Sequence, residues 1–425
     1  MMTSLRSVTS IAAALLITWG TTAGANSVTD WSVIAQNAVT LPPAAGGAGK
    51  FPAASTIYMA MVHIAIYDAV NTIVPGYRRF METDLSPRPG ASLDAAVAAA
   101  AHGVLVGMFP AQQAQLDAKL AAALAAIPDG DAKTDGVALG VEVAAAVLLW
   151  RANDGRDGSF LYDQPATPGV WQRTPPAFAA PVGIELPHVT PFAMTSPSQF
   201  RPNGPPALRS PRYAADLNEV KNVGSQASTQ RTAYQSETAR FLTEHTQQQL
   251  NRAFIALAVE RDLDAPDTAR LFAMIHAAAA DSSIACYEAK YHYNFWRPIQ
   301  AIPQAADDGN ARTDADIAWL PFVNTPAHPE YPSSHSCHTS AAMLALRRFF
   351  GTDRIAFTVN STVTGTTHRF DQFSDFAAEV VEGRIWGGLH FRFSTEEGKK
   401  LGEKAARWMF CTKFGRLDEP AELCE

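Results

Sequence analysis

A chain of 425 residues with 47% hydrophobic content can bury a sizeable core, as one helical domain or as two fused halves. Its formal charge of −7, with no Lys/Arg-rich block or basic amphipathic stripe, argues against a nucleic-acid binder. Cations that gather in so acidic a chain are expected to serve a local anion site.

Residues 1–25 read as an export signal. Arg6 supplies the positive start, residues 11–19 the short apolar run, and Ala23-Gly24-Ala25 a small-x-small cleavage site. The run is too short to cross a bilayer and no second long apolar segment follows. The expectation is an exported protein, periplasmic or secreted, with no stable membrane span.

An N-terminal helical half is expected over residues 26–160. Residues 56–74 repeat apolar side chains at Ile57, Met61, Ile64 and Ala65, a helical stripe. Residues 92–108 and 112–127 are alanine-dominated and end at Pro110 and at Pro128-Asp129-Gly130. Residues 134–152 form a further apolar helix stopped by Asn153-Asp154-Gly155. Short turns between these helices imply antiparallel neighbours.

Residues 161–211 cannot sustain helix, because prolines and small polar residues recur throughout. Trp171, Phe178, Phe192 and Phe200 should make this segment an ordered crossover that packs down. The C-terminal half, 212–425, resumes with helices over 212–223 and 230–258. The next starts near Asp264-Ala265-Pro266, where Asp264 can cap. Its inner face runs Leu271, Ile275, Ala278, Ser282, Cys286 and Ala289, and leads to Lys290. Strand signals are scarce, so the fold class is all-α, two bundle-like halves with a long proline-rich crossover.

Three stretches of the C-terminal half carry the chemistry. In the first, Lys290 closes a helix and Arg297 sits on the extended residue that Pro298 enforces. A point charge and a planar fork together suit an anion with several oxygens. Phe295 and Trp296 should draw both cations inward, where each needs a partner. In the second, Pro332-Ser333-Ser334-His335 opens a helix that ends at Gly351. The first turn of a helix welcomes an anion, although an isolated Ser-Ser-His there reads first as plain N-capping. In the third, Arg384 ends a helix that begins near Asp375, and Gly387-Gly388 turns the chain towards His390.

Together these stretches resemble the vanadium-dependent haloperoxidases, within the superfamily shared with type 2 phosphatidic-acid phosphatases. The family pattern is Lys, six residues, Arg-Pro; then Pro-Ser-Gly-His; then Arg, five residues, His. Lys290 to Arg297-Pro298, Pro332 to His335 and Arg384 to His390 keep its order and spacing. The resemblance implies vanadate as cofactor. Lys290, Arg297 and Arg384 are then expected to neutralise its oxygens, with Ser333 and the Ser334 amide as donors. His390 becomes the metal ligand and His335 the acid–base group, while Lys290 polarises bound peroxide. The implied partners are hydrogen peroxide, a halide and a small organic acceptor, and a homo-oligomer stays open. His328, seven residues before His335, marks the halide pocket and leans towards bromide over chloride.

The chain also departs from the family pattern. Ser334 stands where the family has glycine, Tyr287 where tryptophan is frequent, and Ser394 where an aspartate often follows the axial histidine by four residues. Two other functions use much the same inventory. An acid phosphatase would phosphorylate His390 and protonate the leaving group from His335. A non-enzymatic oxyanion-binding protein would need the cations but not both histidines.

His63, His102, His188, His245, His276 and His368 are expected to be packed or surface residues, and His292 and His338 candidates for support of the site. Asp307-Asp308-Gly309-Asn310 reads as a turn, not a calcium loop. Of the four cysteines, Cys411 and Cys424 could staple the tail, while a Cys286–Cys337 bridge would brace the site.

Overall fold

The computed structural model describes residues 26–83 and 85–418; the expected export signal and Cys424 lie outside them. Helix α1 (Ser27–Thr40) opens on Asn26, whose side chain accepts from the Val28 and Thr29 amides. Helix α2 (Pro52–Ile73) places proline in its first turn, where a missing N–H costs nothing. The stripe expected on α2 understates it, since residues 53–73 are all buried. Among the described residues α2 is the one helix long and apolar enough to cross a membrane, and here it is wrapped by protein on every side.

Helix α3 (Leu93–Met108) is capped by Ser92. Helices α4 (Gln113–Ala125) and α5 (Asp131–Trp150) follow after short turns, as expected. A side chain at Gly140 would place its Cβ 2.6 Å from the Ala96 carbonyl, so this glycine lets α5 lie directly on α3.

Residues 151–210 contain one short 3₁₀ turn, Leu186–His188, and no other regular element. They are nonetheless tightly held. Buried Asp281, on α9 (Ala265–Tyr293), accepts from the amides of Phe192 at 2.6 Å, Ala193 at 2.9 Å and Met194 at 3.0 Å. Trp171 is fully buried and its amide donates to the Asn294 carbonyl at 2.7 Å. Phe178 departs from the expectation and lies 59% exposed.

Helix α6 (Pro211–Val223) is capped by Ser210. The single helix expected over 230–258 is two, α7 (Ala233–Phe241) and α8 (Thr246–Glu260). The turn between them frees the Leu242 carbonyl and brings residues 243–246 to the wall of a cavity. Asp264 caps α9 as expected, accepting from Asp267 at 2.8 Å. After α9 come the single turn α10 (Pro298–Ala301) and α11 (Ser334–Phe350), which ends at left-handed Gly351. A small antiparallel hairpin, β1 (Phe357–Asn360) and β2 (Thr367–Phe370), precedes α12 (Phe373–Trp386) and α13 (Arg392–Thr412).

The molecule is therefore mainly α-helical, as the sequence implies. One apolar core runs continuously from Val28 on α1 to Phe414 beyond α13, with α2 against α9 and α11 against both α9 and α13. A second, smaller core gathers Phe295, Trp296, Trp319, Tyr331, Phe391 and neighbours beneath the loops that bear the three motifs. Asp307 ends a 3₁₀ turn, and Asp308 accepts from the Asn310 amide at 2.7 Å, which confirms a turn there.

Candidate active site

Each motif occupies the end of a long helix, and the ends meet. Lys290 lies in the last turn of α9, where a cation is favoured by the carbonyl-rich terminus. It is fully buried and donates to the carbonyls of Pro329 at 3.1 Å, Glu330 at 2.9 Å and Pro332. Its ammonium therefore organises the loop before α11 as well as supplying charge. Asn294, in the left-handed conformation, ends α9 and swings the chain to Arg297. Arg297 is fully buried; it donates to the Leu389 carbonyl at 3.0 Å, to His390 Nε2 at 3.1 Å and to His328 Nδ1 at 3.0 Å.

Ser333 stands at the N-cap of α11, yet its hydroxyl does not cap. That buried oxygen has no hydrogen-bond partner among the described residues. The plain capping role is thereby set aside. Ser334, in place of the glycine, lies with Tyr287 in the wall of a cavity. Arg384, in the last turn of α12, is 2% exposed and donates from Nη1 to the Leu242 carbonyl at 3.2 Å. Its buried Nε is likewise unpartnered among the described residues. Gly388 adopts φ +77°, and a Cβ there would lie 2.4 Å from the Gly224 carbonyl. Only glycine fits this close crossing, which delivers His390 to the site.

Burial dominates the electrostatics. It pushes Lys290 down to about 8, Arg297 to about 10 and Arg384 to about 9. His335 and His390 fall well below the ordinary imidazole range, through burial first and then the surrounding cations. Both are neutral at pH 7 and able to accept a proton or bind an electrophilic centre. The sequence reading passed over Glu330, which is fully buried and lies 2.7 Å from His390 Nδ1. Burial lifts this carboxyl to about 7 against the pull of Arg297 and Lys290. An acid inside the apolar, proline-rich run from His328 to Pro332 was the available signal, since buried acids need partners.

All the candidate residues thus converge: Lys290, Arg297, Ser333, Ser334, His335, Arg384 and His390, with His328 at the edge. Glu330 is a carboxylate whose charge acts on both Lys290 and Arg297. Three buried cations against one acid, with two unpaired donors, match a tetrahedral oxyanion, which brings both negative charge and acceptors.

A cavity of about 440 Å³ opens beside them, lined by His328, Ser334, His335 and Arg384 on one side and by Phe51, Val182 and Leu242 on another. His338 and His245 also line it; His245 packs there with Nε2 3.0 Å from the Lys50 carbonyl. His63 and His276 stack at 4.4 Å in the core, as packed histidines should. The Cys286 and Cys337 sulfurs touch at 2.7 Å as buried free thiols; no bridge braces the site. Cys411 is disulfide-bonded.

Comparison with known proteins agrees with this geometry. Residues 270–414 match the family described as the VCPO second helical-bundle domain. The vanadium chloroperoxidase of Curvularia inaequalis is 26% identical over 405 residues, an alignment covering 76% of this chain and 66% of that protein. The chain thus spans just under two thirds of that relative's length. The first bacterial vanadium-dependent iodoperoxidase structure has a TM-score of 0.76 at 23% identity, covering 92% of this chain and 96% of that one. A holo-type bacterial vanadium-dependent chloroperoxidase gives 0.70 at 20% identity, covering 90% and 96%. The shared helical fold extends over nearly the whole chain, and the matched second bundle contains every residue of the site from Lys290 to His390. The chain is thus similar to the vanadium-dependent haloperoxidases, through its second helical bundle by sequence and over nearly its whole length by fold.

Proposed function

We propose that this protein is an exported vanadate-dependent haloperoxidase. It uses hydrogen peroxide to oxidise halide, bromide in preference to chloride, and the oxidised halogen passes to a small organic acceptor. One observation carries the reading: three buried cations and two buried donors without partners among the described residues, Ser333 Oγ and Arg384 Nε, surround two neutral histidines. The relatives are named as chloroperoxidases and an iodoperoxidase, which supports halide oxidation.

The residues divide the work. Lys290, Arg297 and Arg384 hold the negative charge of vanadate, and Ser333 Oγ and the Ser334 amide donate to its oxygens. His390 offers Nε2 to the metal. Bound vanadate supplies a Lewis-acidic centre that makes a peroxide oxygen electrophilic towards halide, with no change in metal oxidation state. His335, held neutral, takes the proton that hydrogen peroxide must lose on binding and returns it to the departing oxygen. His328, at the cavity wall, supports bromide and iodide over chloride, following the resemblance to bromide-preferring members. Export rests on the leader-like residues 1–25.

The test is to load the purified protein with orthovanadate and assay bromination, with peroxide and bromide, beside hydrolysis of an aryl phosphate. Vanadate-dependent bromination is expected. Phosphate-ester turnover that vanadate inhibits, without halogenation, overturns the reading in favour of an acid phosphatase.

A further inference from the structure

We propose that Glu330 is the positioning residue of His390, fixing its tautomer so that Nε2 presents a lone pair to the bound oxyanion. The proposal rests on the oxyanion reading of the site. It places the orienting carboxylate on the loop before α11, where the aspartate expected four residues after the histidine is Ser394.

Glu330 Oε1 lies 2.7 Å from His390 Nδ1 and also accepts from the Phe391 amide at 3.1 Å. At the far side of the ring, Arg297 Nη1 lies 3.1 Å from Nε2. A guanidinium can only donate, so Nε2 must accept and the ring proton must sit on Nδ1. Both ends of the imidazole therefore select one tautomer. Ser394 does not compete. Its hydroxyl lies 3.4 Å from Nδ1 and 3.4 Å from the Glu330 carbonyl, at the limit of a hydrogen bond for either.

The residue also links the motifs. Its carbonyl receives Lys290 from the first, its side chain holds His390 of the third, and it sits three residues before Ser333 of the second. A carboxylate behind a ligating imidazole fixes the ring and raises the basicity of the ligating nitrogen, and losing it typically costs about 10- to 100-fold in metal affinity. His390 itself stays the ligand; Glu330 acts through it.

The experiment uses the full chain with histidine ¹⁵N labels and orthovanadate as the probe. Before vanadate is added, the wild-type His390 spectrum should show the proton on Nδ1, and Glu330→Ala should show a mixture of tautomers. The vanadate dissociation constant, measured by calorimetry, should rise about 10- to 100-fold in Glu330→Ala. Glu330→Gln keeps the side-chain volume and an acceptor, and should fall between the two if the alanine variant folds poorly. Adding Ser394→Asp to either variant should restore the Nδ1–H tautomer and most of the affinity, which a merely structural loss cannot do. An unchanged tautomer and unchanged affinity in both Glu330 variants overturns the proposal, as does failure of Ser394→Asp to rescue a folded variant. A wild type that binds no vanadate sinks the oxyanion reading instead, and the tautomer spectra still decide the role of Glu330.

Discussion

Arg297 Nη1 and His390 Nε2 lie 3.1 Å apart, so the nitrogen that a metal would need is already accepting a hydrogen bond from the site's most central cation. Binding an oxyanion through Nε2 must turn that N–H onto an oxygen of the ligand. In the proposed function the arginine would do two jobs in succession, keeping the ring aligned and then carrying charge. Arg297→Lys keeps the charge and loses the fork. The expected outcome is a roughly 10- to 100-fold weaker vanadate affinity, the range of one charged hydrogen bond. Calorimetric titration checks it, and an affinity equal to wild type would remove Arg297 from the site.

Ser333 allows stability and binding to be separated. An N-cap serine costs about 1 kcal/mol when replaced by alanine. The Ser333 hydroxyl makes no cap hydrogen bond and has no partner among the described residues. Ser333→Ala should therefore melt at the wild-type temperature or slightly above, while binding vanadate or phosphate about 10-fold less tightly. Thermal melts with and without the oxyanion measure both quantities, and a lower melting temperature without ligand points back to capping.

The two histidines should fail differently. His335→Ala removes the proton acceptor but leaves the cations and His390, so vanadate should still bind while bromination falls about 100- to 10,000-fold. His390→Ala should lose both binding and turnover. Parallel titration and steady-state assays separate the two, and equal behaviour of the variants contradicts the assigned division.

A pH dependence of stability is expected at His368, whose ring stacks on Phe241 at 4.0 Å. His368 on β2 is held by Glu379 at 2.6 Å and Glu237 at 2.8 Å. Burial opposes its protonation, but the two carboxylates outweigh burial and raise it above the ordinary imidazole value. A raised value in the folded state means the stabilisation is full below about pH 6.5, the unfolded value, and is lost as pH rises through the folded one. The pair is partly solvated, so roughly 1 kcal/mol or less is at stake. Urea midpoints of wild type and His368→Gln should differ at pH 5.5 and converge at high pH. A gap that widens with pH would reverse the sign of this linkage.

The helices and the reactive constellation were largely legible in the sequence, because each rests on local chemistry. Alanine-rich periodicity, Asp264 as a cap, Gly351 as a stop and the motif spacings all act within a turn or two of chain. What escaped depends on distant partners. The break between α7 and α8 has no proline or glycine to announce it; it is stabilised by Arg384, 142 residues away, which donates to the freed Leu242 carbonyl. The all-round burial of α2 was hidden because its polar residues, such as Asp68, find partners in the Phe80 and Met81 amides. Glu330 was missed for the same reason, since its meaning lies in a histidine 60 positions later.

The continuous core has a practical consequence for anyone who would transplant this chemistry. Residues 270–414 hold every group of the site, and so look like a portable catalytic cassette. Yet α9 leans along α2, which belongs to the other half, and Asp281 on α9 ties down the crossover. Excised, the cassette would present a raw apolar helix and a buried acid to water. The segment that holds the site is an organ of the whole body and must be moved with it.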